Sequence, residues 1–179
     1  MSRFVFLDRD GTLVRDTGYP HRREDYELLP CTPAALERLC AAGYRLAIVT
    51  NQSGIGRGLF TEADFQSFHE LLLRDLAAHG VRVEATYHCP HAPGADCLCR
   101  KPAPGLLLRA RDELGAQLSE CWFIGDADRD VAVAARAGCR GAIRVGAPPG
   151  AAPPAECPVH FYDEPDLAGA AERILEQPA

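Results

Sequence analysis

The stretch Phe4-Val5-Phe6-Leu7-Asp8-Arg9-Asp10-Gly11-Thr12 decides how the rest of the chain is read. An apolar, strand-sized run ends on two carboxylates two positions apart, followed by a glycine that permits a sharp turn. Further runs of this kind alternate with amphipathic stretches along the chain, the mark of a parallel sheet covered by helices on both faces. Ligands of such an open sheet bind beyond the carboxyl ends of its strands. Asp8 and Asp10 therefore stand where chemistry is expected, and on the residues alone they could bind a metal, act as nucleophile and acid, or cap a turn.

Working outward, strands are predicted near Arg3 to Asp8, Arg45 to Thr50, Val83 to His88, Cys121 to Gly125 and Gly141 to Val145. A helix over Thr32 to Ala42 has Thr32 as N-cap, Pro33 at the first helical position and Gly43 just past the end. Thr61-Glu-Ala-Asp opens a longer helix to about Gly80, whose Phe65, Phe68, Leu72 and Leu76 form one apolar face. Further helices are expected over Pro104 to Leu114, Asp128 to Ala137 and Pro165 to Glu176, and Gly146 to Pro158 is a Pro/Gly/Ala-rich surface loop. Val14 to Pro30 and Cys89 to Pro102 fit neither pattern, and long irregular stretches in compact domains usually carry function. The class is α/β with a Rossmann-like parallel sheet, and 179 residues suit a single domain, 1–179.

Nineteen basic and 25 acidic residues give a formal charge of -6, which disfavours nonspecific attraction to nucleic acid or anionic lipid, so an anionic substrate must meet a local positive site. No apolar run approaches the ~20 residues of a membrane helix. The start, Met-Ser-Arg, leads straight into the first strand without a secretory h-region, and the expected location is the cytoplasm. Eight cysteines there point to metal binding or simple burial rather than a disulfide framework.

The other strand ends carry matching chemistry. Thr50-Asn51-Gln52-Ser53-Gly54 offers hydroxyls and backbone donors for phosphate oxygens; its plainer reading is a capped polar loop. Gly125-Asp126-Ala127-Asp128-Arg129-Asp130 opens a helix, where acidic residues are favoured by the macrodipole in any case. Lys101, in Arg100-Lys101-Pro102 before another helix, can neutralise a phosphate or stand as a solvated charge. Each signal is weak alone, but together they place an acid pair, a threonine, a lysine and an acid cluster along one edge of one sheet.

Cys89-Pro90-His91 and Cys97-Leu98-Cys99 add three thiolates and an imidazole within eleven residues, the donor set of a closed structural zinc site. A disulfide would leave His91 and one cysteine unexplained. With four protein ligands the metal has no open position, so its role is to hold a loop that cannot bury a core and to place Arg100 and Lys101, which follow directly. His88 lies outside the spacing, and Cys31, Cys40, Cys121, Cys139 and Cys157 are expected to be small buried hydrophobes.

This ordered set resembles the four motifs of the haloacid dehalogenase (HAD) superfamily of aspartate-nucleophile phosphotransferases, over Asp8 to Asp130. The resemblance implies that Asp8 attacks phosphorus and that Asp10 protonates the leaving oxygen and then activates water. It implies Mg²⁺ held by the Asp8 carboxylate, the Asp10 backbone carbonyl and Asp126, with Thr50 and Lys101 stabilising the transferring phosphoryl group. Asp130 would orient Lys101 or a metal-bound water, and Asp128 would be only an acidic residue at the helix start. No stretch between the motifs is long enough for a large cap domain, so the pocket should be open and closed by loops such as Val14 to Pro30.

Within the superfamily, four stretches resemble the heptose-1,7-bisphosphate 7-phosphatase family: Asp16-Thr17-Gly18-Tyr19 with His21, Thr50 to Gly58 with its Gly-Ile-Gly-Arg57-Gly run, Cys89-Pro90-His91, and Cys99-Arg100-Lys101-Pro102. That implies a small sugar bisphosphate as substrate, in nucleotide-activated heptose and lipopolysaccharide biosynthesis. Asp16, Thr17, Gly18 and Tyr19 would line the sugar pocket, Thr50, Asn51, Gln52 and Ser53 would contact the substrate, and Arg57 and Arg100 would supply cationic contacts for the second phosphate. Two positions and one loop depart from the pattern: Ala127 stands where a lysine is expected, Cys31 replaces a glycine, and the zinc loop is short. The alternatives are a histidinol-phosphate phosphatase and a zinc-stapled binding module without turnover. The module reading predicts damage to the acid pair, Thr50 or Lys101, all of which are present. Neither nucleic acid nor membrane is an expected partner, and the expected state is a monomer.

Overall fold

The first strand, β1 (Phe4–Leu7), is fully buried, and its side chains divide by the period of two that a strand imposes. Phe4 and Phe6 join one apolar cluster and Val5 and Leu7 the other. The computed structural model describes residues 3–177. After β1 come α1 (Thr32–Ala41), β2 (Arg45–Asn51), the short α2 (Ser53–Gly56), α3 (Glu62–Ala78), β3 (Val83–Cys89), α4 (Gly105–Leu114), β4 (Trp122–Gly125), α5 (Asp128–Ala137), β5 (Gly141–Val145), β6 (His160–Glu164) and α6 (Leu167–Leu175).

All strand pairs are parallel, in the order β3-β2-β1-β4-β5-β6. On one face Leu36 and Leu39 of α1, Phe68, Leu72 and Leu76 of α3, and Leu167 and Ile174 of α6 pack on Val5, Leu7 and Ile48. On the other, Leu106 and Leu107 of α4 and Val131 and Val133 of α5 pack on Phe4, Phe6, Val49 and Phe123. Burying each large apolar side chain contributes about 1.5–3 kcal/mol, so the two layers hold the sheet rigid. The chain leaves β1 toward β2 on one side and returns to β4 on the other, and the carboxyl end of β1 is therefore the switch point at which ligands are expected.

Four expectations are corrected. The sheet has six strands rather than five: β6 is an edge strand, half-buried and polar in sequence. The N-cap of α1 is Cys31 rather than Thr32, whose hydroxyl donates to the Leu13 carbonyl at 3.2 Å. The polar run after β2 contains α2, which sequence patterning did not suggest. Cys121 and Cys139 are buried as expected, but Cys31 and Cys40 are only half-buried and Cys157 is exposed. The termini of α1 and α3 otherwise behave as read: Gly43 takes φ +85°, and Thr61 caps α3 by accepting from the Asp64 amide.

Val14 to Pro30 folds back over the sheet edge. Val14 bridges Asp10 on one side and Leu28 on the other. Tyr26 donates to Asp75 of α3 at 2.8 Å, and Arg144 of β5 joins Asp128, Asp163 and the Ala152 carbonyl, tying the 146–158 loop to the sheet.

Candidate active site

Asp8 ends β1 almost completely buried. Its Oδ1 accepts from the Arg9 amide at 2.8 Å and faces the Lys101 Nζ at 2.9 Å. The chain then turns through Gly11, with φ +79°, where a Cβ would lie 2.4 Å from the Asp126 carboxylate. Only glycine brings the acid pair and the β4 carboxylate this close.

Lys101 is sealed beneath Asp8. Its Nζ donates to the Val49 carbonyl at 2.8 Å and pairs with Asp8 and, at 2.7 Å, with Asp130. Burial opposes its charge, but the two carboxylates outweigh burial and hold its pKa above the ordinary lysine value. Asn51 clamps the same residue by its backbone, donating to the Lys101 carbonyl at 3.1 Å and accepting from its amide at 3.0 Å. The end of β2 thereby fixes the end of the cysteine loop.

Asp10 is held by a residue that the sequence reading left out. Arg9 is fully buried and donates to both Asp10 oxygens, at 2.7 and 3.0 Å, to Gln52 Oε1 at 3.0 Å and to the Pro20 carbonyl at 3.2 Å. Its guanidinium lies 4.7 Å from the Phe68 ring centre. Gln52 also donates to Asp10 Oδ2 and to Thr50 Oγ1, each at 2.9 Å. Burial raises the Asp10 pKa; Arg9 and Gln52 oppose it and Asp8 adds to it. A carboxyl in this setting holds a proton more readily than a free aspartate does.

Asp8, Asp126 and Asp130 present carboxylate oxygens within 4.8 Å of one another. Asp126 Oδ1 is buried without a partner, and burial together with the Asp8 charge raises its pKa. Three hard oxygen donors, one of them orphaned, fit a divalent cation of the magnesium type. The set differs from the expected ligands in containing Asp130, which Lys101 already engages. Asp10 contributes no side-chain oxygen to it. Asp128 points elsewhere, into an ion pair with Arg144.

A cavity of about 240 Å³ opens in front of Asp8 and Asp10. Of the expected substrate contacts, Asp16, Gly18, Tyr19, Thr50, Asn51, Gln52, Ser53 and Arg100 line it. Thr17, Arg57 and Lys101 lie outside its lining: Lys101 is sealed below, and Arg57 donates to the Tyr19 hydroxyl at 2.6 Å from behind. Tyr19 adopts φ +67°, a conformation costly for a bulky residue, held by Arg57 on its hydroxyl and His21 against its carbonyl at 2.8 Å. Arg129 lines the cavity although nothing singled it out; an arginine among acids at a helix start reads as a solvated charge.

The second cluster lies beside β3. The donor atoms of Cys89, His91, Cys97 and Cys99 all fall within 4.8 Å of one another. Cys99 Sγ is 3.2 Å from both Cys89 Sγ and His91 Nδ1, and Cys89 Sγ is 3.8 Å from Cys97 Sγ. These separations exceed the ~2.05 Å of a disulfide; the Cys89–Cys97 distance equals the ~3.8 Å edge of a tetrahedron with ~2.3 Å bonds to sulfur and the Cys99 contacts are somewhat shorter, so the donor set fits zinc. Burial and the neighbouring sulfurs push Cys89 up to about 12, a penalty that a bound cation would reverse. The loop is also tied to α2, where the Gly56 amide donates to the Pro90 carbonyl at 2.8 Å.

The HAD-hydrolase-like family model matches residues 98–146, the span holding Lys101, Asp126 and Asp130. Over 153 residues the chain is 41% identical to the D-glycero-beta-D-manno-heptose-1,7-bisphosphate 7-phosphatase of Escherichia coli (strain K12), covering 80% of this chain and 80% of that protein. Among solved structures, the D,D-heptose 1,7-bisphosphate phosphatase of B. bronchiseptica, complexed with magnesium and phosphate, superposes with a TM-score of 0.87 at 32% identity, covering 98% of this chain and 99% of that one. The D,D-heptose 1,7-bisphosphate phosphatase of Burkholderia thailandensis does so with a TM-score of 0.71 at 28% identity, covering 98% and 100%.

Proposed function

This chain belongs to the heptose-1,7-bisphosphate 7-phosphatase family of HAD-like hydrolases, and from that premise we propose how its residues carry the reaction. It is a phosphoric monoester hydrolase acting on a heptose 1,7-bisphosphate. In our reading Asp8 attacks the phosphorus of the C7 phosphate in line with the sugar oxygen, forming an aspartyl phosphate. Asp10 gives its proton to the departing oxygen, so that the sugar leaves as an alcohol. Asp10, now ionised, takes a proton from the water that attacks the aspartyl phosphate, and inorganic phosphate leaves with Asp8 regenerated.

The observation that carries this reading is the geometry of the acid pair: Asp8 ends β1 at the cavity beside the Lys101 ammonium, 2.9 Å away, while Asp10 lines the same cavity with its carboxyl held by Arg9 and Gln52. Thr50 would offset charge on the phosphoryl oxygens directly and Lys101 through its positive charge beside Asp8, while Arg9 with Gln52 keeps the Asp10 carboxyl aimed at the leaving group. Magnesium held by the Asp8 carboxylate, the Asp10 backbone carbonyl and Asp126 would lower the repulsion between two anions that must meet. Zinc on Cys89, His91, Cys97 and Cys99 would fix the loop that delivers Arg100 and Lys101. Asp16, Gly18, Tyr19 and the Thr50–Ser53 run surround the sugar. A monomer is the state this reading assumes, and the reducing cytoplasm would suit its thiolate ligands.

The deciding experiment measures phosphate release with Mg²⁺ from both anomers of heptose 1,7-bisphosphate and from histidinol phosphate, with Asp8→Asn as the blank. Preference for a heptose anomer is expected. Preference for histidinol phosphate would overturn the substrate assignment, and activity retained by Asp8→Asn would overturn the nucleophile.

A further inference from the structure

A bisphosphate brings a second dianion that the phosphoryl site cannot neutralise, because the cations nearest Asp8 are already committed. Lys101 divides its donors among Asp8, Asp130 and the Val49 carbonyl. Arg9 is wholly buried, with Nε and Nη2 spent on Asp10, Gln52 and Pro20, and it does not line the cavity. Arg57 is drawn off to the Tyr19 hydroxyl and does not line the cavity. Two cations line it, Arg100 and Arg129.

Their positions are complementary. Arg100 arrives from the loop after β3 and Arg129 from the first turn of α5 after β4, and the sheet order puts β1 with Asp8 between those two strands. The two guanidiniums therefore enter from opposite sides of the nucleophile. Both have capacity to spare: Arg100 Nη1 is buried without a partner, and Arg129 is engaged, among the described residues, only by a long ion pair with Asp126. Arg129 comes nearest a carboxylate at Asp126 Oδ1, 3.9 Å away, beyond hydrogen-bond range. Its side chain is 46% exposed at the cavity.

We propose that Arg129 is a substrate-binding residue that closes with Arg100 on the phosphate that is not hydrolysed, so that the site selects a bisphosphate over a monophosphate by gripping its far end from both sides. A planar guanidinium fork suits this task because it meets phosphate oxygens through paired hydrogen bonds, which a point charge cannot do. The inference rests on the bisphosphate reading above and adds to it a second arm of recognition, from α5.

The test compares kcat and KM for heptose 1,7-bisphosphate and for heptose 7-phosphate in the unsubstituted enzyme, Arg129→Ala and Arg129→Lys, each with a Mg²⁺ titration. Arg129→Ala is expected to lower kcat/KM for the bisphosphate about 10- to 100-fold, the range of a lost charge-assisted hydrogen bond, mostly through KM. The loss on the monophosphate should be much smaller, with Arg129→Lys intermediate on the bisphosphate and the Mg²⁺ requirement unchanged. Equal losses on both substrates with a raised Mg²⁺ requirement would overturn the proposal and make Arg129 a positioning residue for Asp126. An unchanged preference for the bisphosphate would also overturn it while leaving the bisphosphate reading intact. An unsubstituted enzyme with no such preference would overturn that reading first, and this inference with it.

Discussion

The molecule gathers metal-type donors in two places, and they are built in opposite ways. At the end of β1 the carboxylates of Asp8, Asp126 and Asp130 project from strand ends and a helix start fixed by two full apolar layers. In the 89–99 loop the donors are soft, and Cys89 is the only one on a strand. Little apolar burial holds the rest: Leu98 is 84% exposed. The first region is held by the sheet and its two apolar layers. The second has only backbone ties to α2, Asn51 and the start of α4, so a bound ion is expected to matter far more to its stability.

The sharpest way to separate the two is to change one atom at the sheet edge. Asp8→Asn should lower phosphate release by roughly 10⁴-fold or more, as for other lost nucleophiles, while thermal unfolding shifts by only a few degrees. Retained turnover would remove Asp8 from the chemistry. Cys97→Ser should do the reverse in kind, costing on the order of 4 kcal/mol of stability and lowering activity with it, because Arg100 and Lys101 lose their anchor. Zinc content and melting temperature check this together; if both stay unchanged, the loop stands without metal.

Acid offers a third separation. His69 of α3 is buried, with Nε2 2.7 Å from Thr86 Oγ1 and Nδ1 unpartnered. Burial, followed by the charges of Arg9 and His88, lowers its pKa to about 4. Between pH 6.5 and 4 the unfolded chain takes up a proton that the folded one refuses. Stability is thus complete above about pH 6.5 and declines by about 3 kcal/mol as the pH falls toward 4. His69→Leu should flatten that part of the denaturation profile; an unaltered slope would show that another group sets it. The smallest effect belongs to Cys157→Ser: an exposed thiol outside the cluster should change stability by under about 0.5 kcal/mol, yet remove the fastest-reacting thiol in a titration of the metal-loaded protein.

Much of the sheet edge was legible in sequence because parallel strands announce their carboxyl ends. Asp8, Thr50 and Asp126 each follow an apolar run, and the rule that ligands gather there needs no side-chain detail. The four cysteine-loop donors were legible for a different reason, their closeness along the chain. What stayed hidden depends on contacts distant in sequence. Arg9 reads as a charge between two acids until Phe65, Phe68 and Gln52 are seen to enclose it. Arg129 reads as solvated until β1 and β4 are placed side by side. The sixth strand was missed because an edge strand buries little: none of His160 to Glu164 is fully buried, Asp163 is exposed, and no apolar run marks it. Thr32 misled because its hydroxyl is taken by the Leu13 carbonyl rather than by a helix amide.

The sealing of Lys101 gives the folded chain an internal clock. An ammonium that is 2% exposed and gripped by Asp8, Asp130 and Val49 is out of reach of acylating reagents, whereas a lysine in an opened chain reacts at once. Lys101 is the sole lysine of the sequence, so its slow labelling, free of background from any other ammonium side chain, would time the opening of the sheet edge itself.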